Sequence, residues 1–315
     1  MRLFTTTVVL LIAVAPVTGA AWTRQGHMMT AQIAYEQLLL VAPDVIDAAS
    51  TLLDSHPDRG AFEVAAGRTV GRERARRLFL ECSRWPDDAR KTAYDHPTWH
   101  ASALPIIDVK LPPPVAPAAD VPAFEALQAF DLNFRTLRDP IASPADRAVA
   151  LCWVMHLAGD IHQPLHAAQL FSSRFPQGDL LGSNQFVTDP KAGKIVSLHW
   201  YWDDSANSSD DQGEIARKAT QWMERFPRVT LPELRTPARA ADFGLWATQE
   251  SYPLAMQYVY GLANQAFGTT STEAPSMTQE HARKIEDVAQ RRVVVAGYRI
   301  ADLLQDAFRM NKEQP

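Results

Sequence analysis

Three histidines and one aspartate fall within eleven residues, His156-Leu157-Ala158-Gly159-Asp160-Ile161-His162-Gln163-Pro164-Leu165-His166, in a stretch that otherwise reads as a helix. Ser143 supplies an N-cap, Pro144 a first-turn proline, and Asp146 a carboxylate for the exposed N–H groups. Ala148, Cys152, His156 and Asp160 then recur every fourth residue and share one face. An imidazole and a carboxylate so spaced can hold a single cation. Pro164 removes a backbone donor and crowds the preceding turn, so the helix is expected to kink or stop there. That turn aims His166 away from His156, toward a second cation. The device recurs at His199 and Asp203. Any one of these histidines alone reads as a satisfied core residue. The whole set around a proline break points to metal. His and Asp ligands without thiolates belong to catalytic zinc sites, and close metals stabilise both attacking and leaving oxygens in phosphoryl displacement.

Several helices must position these groups. The leader Trp22-Thr23-Arg24-Gln25-Gly26-His27 enters a helical pattern with Ala31, Ala34, Tyr35 and Leu38 on a common side, which puts His27 at a helix start. A second short helix is expected within 42–60, ending before His56-Pro57, and Arg72 to Arg77 forms a helix-prone, solvated basic run. Cys82 to Arg90, with its acidic pair Asp87-Asp88, reads as loop, as does His96 to His100. Residues 104–122 carry six prolines and are expected to be an irregular surface loop. Helical pattern resumes at Phe124 to Leu137. Beyond His166 the chain is rich in Gly, Pro, Asp and Ser, with at most a short hairpin pairing Gln185–Val187 with Ile195-Val196. Three helical segments close it, near 212–226, 239–266 and 278–309. The expected fold is all-α, one helical domain over 22–315 with long irregular loops.

A chain of 315 residues with 46% hydrophobic content buries a substantial core. Its net charge of −5 shows no basic footprint, so if the substrate is a polyanion the attraction must come from something other than surface Lys and Arg, and bound divalent metal would supply it. Two cysteines, Cys82 and Cys152, cannot build a disulfide framework; they either pair or stand as buried thiols. Residues 1–21 read as a cleaved export signal, with Arg2, an apolar run from Leu3 to Ala15, and the small residues Thr18-Gly19-Ala20-Ala21. Cleavage there leaves Trp22 first and a secreted or periplasmic protein without a membrane span.

Taken together, the motifs resemble those of the secreted, zinc-dependent, single-strand-specific nucleases of fungi and plants and their bacterial relatives, which share a helical fold with bacterial zinc phospholipase C. The resemblance runs from Trp22 to about Phe308. It rests on Trp-x-x-x-Gly-His at 22–27, Trp-x-Asp-x-x-Arg at 85–90 and Trp-His at 99–100. His-x-x-Gly-Asp-x-His-Gln-Pro-Leu-His at 156–166, Leu-His-x-x-x-Asp at 198–203 and Ala-Gly-Tyr-Arg-Ile-Ala-Asp-Leu-Leu at 296–304 complete it.

The resemblance implies three zinc ions. One is held by Asp87, His100, His156 and Asp160. A second takes the α-amino group and carbonyl of Trp22 with His27 and a bridging Asp160. The third uses His166, His199 and Asp203. It also implies phosphate contact by Arg90, a supporting role for His162 behind the ligands, and hydrolysis of single-stranded RNA and DNA to 5′-phosphorylated products, with 3′-nucleotidase activity as a further reaction. Asp87, Asp160 and Arg90 are the residues expected to carry catalysis, with Asn184 a further substrate contact. Two departures concern the substrate side. His100-Ala101-Ser102-Ala103 lacks the aromatic residue and aspartate that grip a base in the best-known fungal members. Gly178-Asp179-Leu180-Leu181-Gly182-Ser183-Asn184 is one residue longer than the usual Gly-Asp-x-Gly-Gly-Asn. A zinc phospholipase C and a non-catalytic exported zinc-binding protein are the competing readings.

Overall fold

The computed structural model describes residues 22–107, 124–206, 209–261, 267–270 and 272–309. Helix α1 (Arg24–Val41) starts where the Thr23 hydroxyl accepts from the Gly26 N–H, which sets His27 one residue further into the first turn. Then come α2 (Pro43–Leu53), α3 (Arg59–Ala66) and α4 (Gly71–Asp88). A short strand β1 (Leu104–Ile107) precedes α5 (Ala126–Arg138) and α6 (Pro144–Asp160). The Ser143 hydroxyl caps α6 by accepting from the Asp146 N–H, as the sequence predicts. After one turn, Pro164 opens the short α7 (Pro164–Ala167), which runs into β2 (Ala168–Phe171). The hairpin β3 (Phe186–Thr188) and β4 (Ile195–Ser197) leads into α8 (Leu198–Asp204), and α9 (Gln212–Arg225) follows. Short segments α10 (Phe243–Leu245) and α11 (Tyr252–Leu254) precede the long α12 (Gln279–Arg309). The molecule is predominantly α-helical, with β1 parallel to β2 and β3 antiparallel to β4.

Three sequence expectations need correction. Cys82 to Asp88 is helix rather than loop, because α4 continues through it with Pro86 inside. Ala75, Leu78, Phe79, Cys82 and Trp85 recur at helical spacing and are all buried, and this apolar stripe outweighs the lost backbone bond at a proline so near the helix end. The region 239–266 is not one helix: a 3₁₀ turn and α10 are followed by π-helical turns Trp246–Ser251 and Ala255–Tyr260 around α11, while 262–266 lie outside the described residues. Pro253 has no N–H to give the preceding turn, and wider turns accommodate it. Within 104–122, residues 104–107 pair in register with 168–171, and 108–122 lie outside the described residues.

Helix α6 is buried on every side from Ala150 to Asp160, which marks it as the central helix rather than an amphipathic surface one. It packs against α5 and α4, while α1 packs against α4 and α12. The approach of α1 to α12 depends on Gly297, where a Cβ would stand 2.6 Å from Ile33 Cβ and 2.9 Å from the Thr30 carbonyl oxygen. This packing gathers the start of α1, the ends of α4 and α6, and the short α7 and α8 into one region. No helix among the described residues is long and apolar enough to cross a membrane.

Candidate metal centre

Three groups of buried ligand-type side chains come together: His27, Asp87 and His156; His100, His156 and Asp160; and His166, His199 and Asp203. Within each group the nearest ligand atoms all lie within 4.8 Å of one another. Helix α1 contributes His27, the end of α4 Asp87, the segment before β1 His100, and α6 both His156 and Asp160. Pro164 turns the chain so that His166, on α7, joins His199 and Asp203 of α8 instead of His156. The sequence placed the neighbouring Asp87 and Asp88 in one acidic pair. The structure separates them: Asp87 faces the histidines, whereas Asp88 pairs with Arg24 and Arg84 toward solvent.

Asp160 is the convergence point. Its Oδ1 is 3.1 Å from His27 Nε2, and its Oδ2 is 3.1 Å from His100 Nδ1 and 3.2 Å from His156 Nε2. His27 and His156 stack with ring centroids 3.9 Å apart. Gly159 makes room for this, since a Cβ there would meet His27 Nδ1 at 3.0 Å. His156 Nδ1 donates to the Ser83 carbonyl, His166 Nδ1 to the His100 carbonyl at 2.6 Å, and His199 Nδ1 to the Leu181 carbonyl at 2.7 Å. Each bond fixes a ring and leaves Nε2 facing the cluster, the arrangement expected of metal-ligating imidazoles.

The donor set fits divalent metal on an observation independent of spacing. Among the described residues, His27 Nδ1 and Nε2, Asp160 Oδ1 and His166 Nε2 are buried and make no hydrogen bond. Buried polar atoms are normally satisfied, so such a concentration of unsatisfied nitrogen and oxygen atoms fits a bound cation. Burial pushes the His27 imidazole below its usual range, with His156 adding to the effect, and takes His166 down to about 3. Both rings are therefore neutral and keep a lone pair for a metal. Burial opposes ionisation of Asp160, but His156, His100 and His27 hold its carboxyl well below the carboxylate range. Burial also opposes charge on His156, yet Asp160 and Asp87 carry it up to about 9. Asp203 is pushed well above its usual range by burial, although Gln163 donates to it at 2.8 Å. A cation nearby would favour its ionised form.

The remaining expected residues border this region. Arg90 is one-third exposed and its guanidinium lies 3.2 Å from Asp87 Oδ1, within reach of solvent. Asn184 is exposed on a loop with positive φ at Gly178, Leu180, Leu181 and Gly182. The longer loop has a definite job, since its Leu181 carbonyl orients His199. The Trp22 ring is buried and donates from Nε1 to the Gly159 carbonyl at 3.0 Å, and the Thr23 N–H meets the Asp203 carbonyl. Residue 22 therefore sits between two of the groups.

Sequence reasoning missed a buried ionic network behind the turn that joins α6 to α7. Arg292 and Arg299 of α12 both bond Glu250, at 2.6–2.8 Å. Arg292 also donates to the His162 carbonyl and the Ser251 hydroxyl, and Arg299 to His162 Nε2 at 2.8 Å. A signal was present: Arg292, Ala296 and Arg299 share one face of an amphipathic helix, on its buried side.

A predominantly helical molecule holding clustered, buried His and Asp side chains with unpaired nitrogens has the kind of centre that could hold divalent metal. The sequence matches the S1/P1 nuclease family model over residues 22–309, and the chain belongs to that family. It is accordingly a nuclease-class hydrolase of a metal-dependent family. No curated protein matches it.

Proposed function

We propose that this protein is an exported phosphodiesterase that binds three zinc ions and hydrolyses single-stranded RNA and DNA to 5′-phosphorylated products, with 3′-nucleotidase activity on short substrates. One observation carries the reading: unpaired buried nitrogen and carboxylate atoms of His27, Asp160 and His166 gathered in a chain of the S1/P1 nuclease family. Asp87, His100, His156 and Asp160 would hold one ion, and His27 with Asp160 and the freed Trp22 amine and carbonyl the next. His166, His199 and Asp203 would hold the third. Bound zinc supplies Lewis-acid polarisation of phosphoryl oxygens and an activated water near neutral pH. Asp160, which His27, His100 and His156 all face, would be shared between two of the ions. Arg90, tethered by Asp87 yet reaching solvent, steadies charge on the phosphoryl oxygens and orients the ester. Asn184 approaches the substrate from the loop that also holds His199. An α-amino group with a pKa of roughly 8 can yield its proton to zinc, so removal of residues 1–21 would complete the centre.

The test is a substrate panel on processed protein, with single-stranded RNA, 3′-AMP and phosphatidylcholine side by side, before and after chelation. Hydrolysis of the RNA, lost to chelator and restored by zinc at about three ions per chain, is expected. Turnover of phosphatidylcholine alone would assign a phospholipase. Bound zinc with no turnover of any of the three would assign a non-catalytic zinc protein.

A further inference from the structure

The mechanism uses neither cysteine, and these are the only two in the chain. Cys82 lies on the buried face of α4, in line with Leu78, Phe79 and Trp85. Cys152 lies on α6, one helical turn before His156. Both side chains are fully buried, and their sulfurs face each other at 2.7 Å across the α4–α6 contact. Five residues beyond Cys82 is Asp87, and four and eight beyond Cys152 are His156 and Asp160. A covalent tie here would fix the relative position of the two helices that bring these ligands together.

We propose that Cys82 and Cys152 form an intramolecular disulfide that clamps α4 to α6 beneath the metal centre. Bond formation needs a shift of well under an ångström in a core that already holds the sulfurs together, since a disulfide spans about 2.05 Å. The step balances with a small-molecule disulfide of the oxidised-glutathione class as electron acceptor. One thiol loses its proton and attacks the small disulfide, releasing a small thiol. The second then displaces the mixed disulfide, releasing another. Two protons leave the cysteines, and two electrons reduce the acceptor. Burial, with Cys82 beside it, holds the Cys152 thiol well above its usual range in the folded protein. Because both sulfurs are fully buried once α4 and α6 are packed, the bond closes while these helices are docking and is then sealed from thiols. Disulfides persist in oxidising compartments. The inference rests on the export reading for its setting alone.

Refolding of full-length processed protein with an oxidised/reduced glutathione couple tests it without relying on export or on nuclease activity. Denaturation and alkylation should find no free thiol, and the intact mass should be lighter by two hydrogens than that of the reduced chain. The bonded protein should melt about 5–10 °C above the same protein refolded in reductant, because the bond closes a loop of 70 residues. The Cys82→Ala/Cys152→Ala variant should show no difference between the two refolding conditions, which separates the bond from simple packing. Two alkylated thiols in wild type refolded under the oxidising couple would overturn the proposal, as would a bond found only between chains. Metal release to a chelator should be several-fold slower from the bonded form, and equal rates would remove its clamping role.

Discussion

His162 and His166 stand four residues apart on either side of Pro164, and they use their ring nitrogens in opposite ways. Both are fully buried. His162 donates from Nδ1 to the Ala158 carbonyl at 2.7 Å and accepts at Nε2 from Arg299 at 2.8 Å, so neither nitrogen is open. Burial, with Arg292 and Arg299 beside it, holds its imidazole well below the usual range. His166 spends Nδ1 on the His100 carbonyl and leaves Nε2 without a hydrogen bond, facing His199 and Asp203. One side of the turn is a closed ionic network, and the other is a set of open donors. The difference teaches that two buried histidines four residues apart can be closed to a metal or left open to one, according to the partners that packing brings to each ring.

The sharpest way to break this contrast lies on the open side. Asp160→Asn keeps the side chain's shape but removes the charge that three imidazoles face. Several kcal/mol of charge stabilisation should go with it, so hydrolysis of single-stranded RNA should fall roughly a thousandfold, with metal content reduced. Activity within tenfold of wild type would show that Asp160 is not the shared ligand.

On the closed side, Glu250→Gln should act on stability. It strands two buried guanidinium groups, and loss of one partner from such a network costs about 3–5 kcal/mol. Burial opposes ionisation of Glu250, but Arg299 and Arg292 hold its carboxyl at about 2, below the unfolded value of 4.5. A depressed carboxyl contributes its stability above the unfolded value and loses it as pH falls toward the folded one. The penalty measured by denaturant titration should therefore be full above about pH 4.5 and shrink toward pH 2. A penalty independent of pH would show that packing, not charge, dominates there.

A smaller effect joins the two sides. His162→Ala should loosen the turn that carries Asp160 and His166 and reduce activity by ~10–100-fold, the range for groups that orient ligands. It should leave the number of bound metal ions unchanged. Loss equal to that of Asp160→Asn, with metal lost too, would place His162 among the ligands.

The smallest effect concerns the substrate side. Ala101 is buried, and the Ser102 N–H is tied to the His166 carbonyl at 2.8 Å, so the residues after His100 brace the centre and offer no carboxylate to a base. Homopolymers of A, U and C should be cut at rates within about tenfold of one another, or ~1.4 kcal/mol. A strong adenine preference would mean that another residue reads the base.

Local chemistry was enough for much of this. The four-residue spacings of His156 with Asp160 and of His199 with Asp203, the Ser143 cap, the break before Pro164 and the hairpin at 186–197 all follow from short-range geometry. They could be read from neighbouring residues alone, and so could the helical character of the chain. Choices between near-equal local options were different. Whether Cys82 to Asp88 continued as helix and how Glu250 met two arginines depended on which surfaces packed together, and Asp87 was told from Asp88 by the motif register at 85–90 and not by local chemistry. Asp87 and Asp88 are adjacent and chemically alike, yet a rotation of about 100° along α4 sends one to three imidazoles and the other to water. The order His, Asp, His and the proline between them were written in the sequence. Which nitrogens remained open was decided by distant carbonyls, Ser83 for His156, His100 for His166 and Leu181 for His199, because only packing brings a particular backbone oxygen to a particular ring.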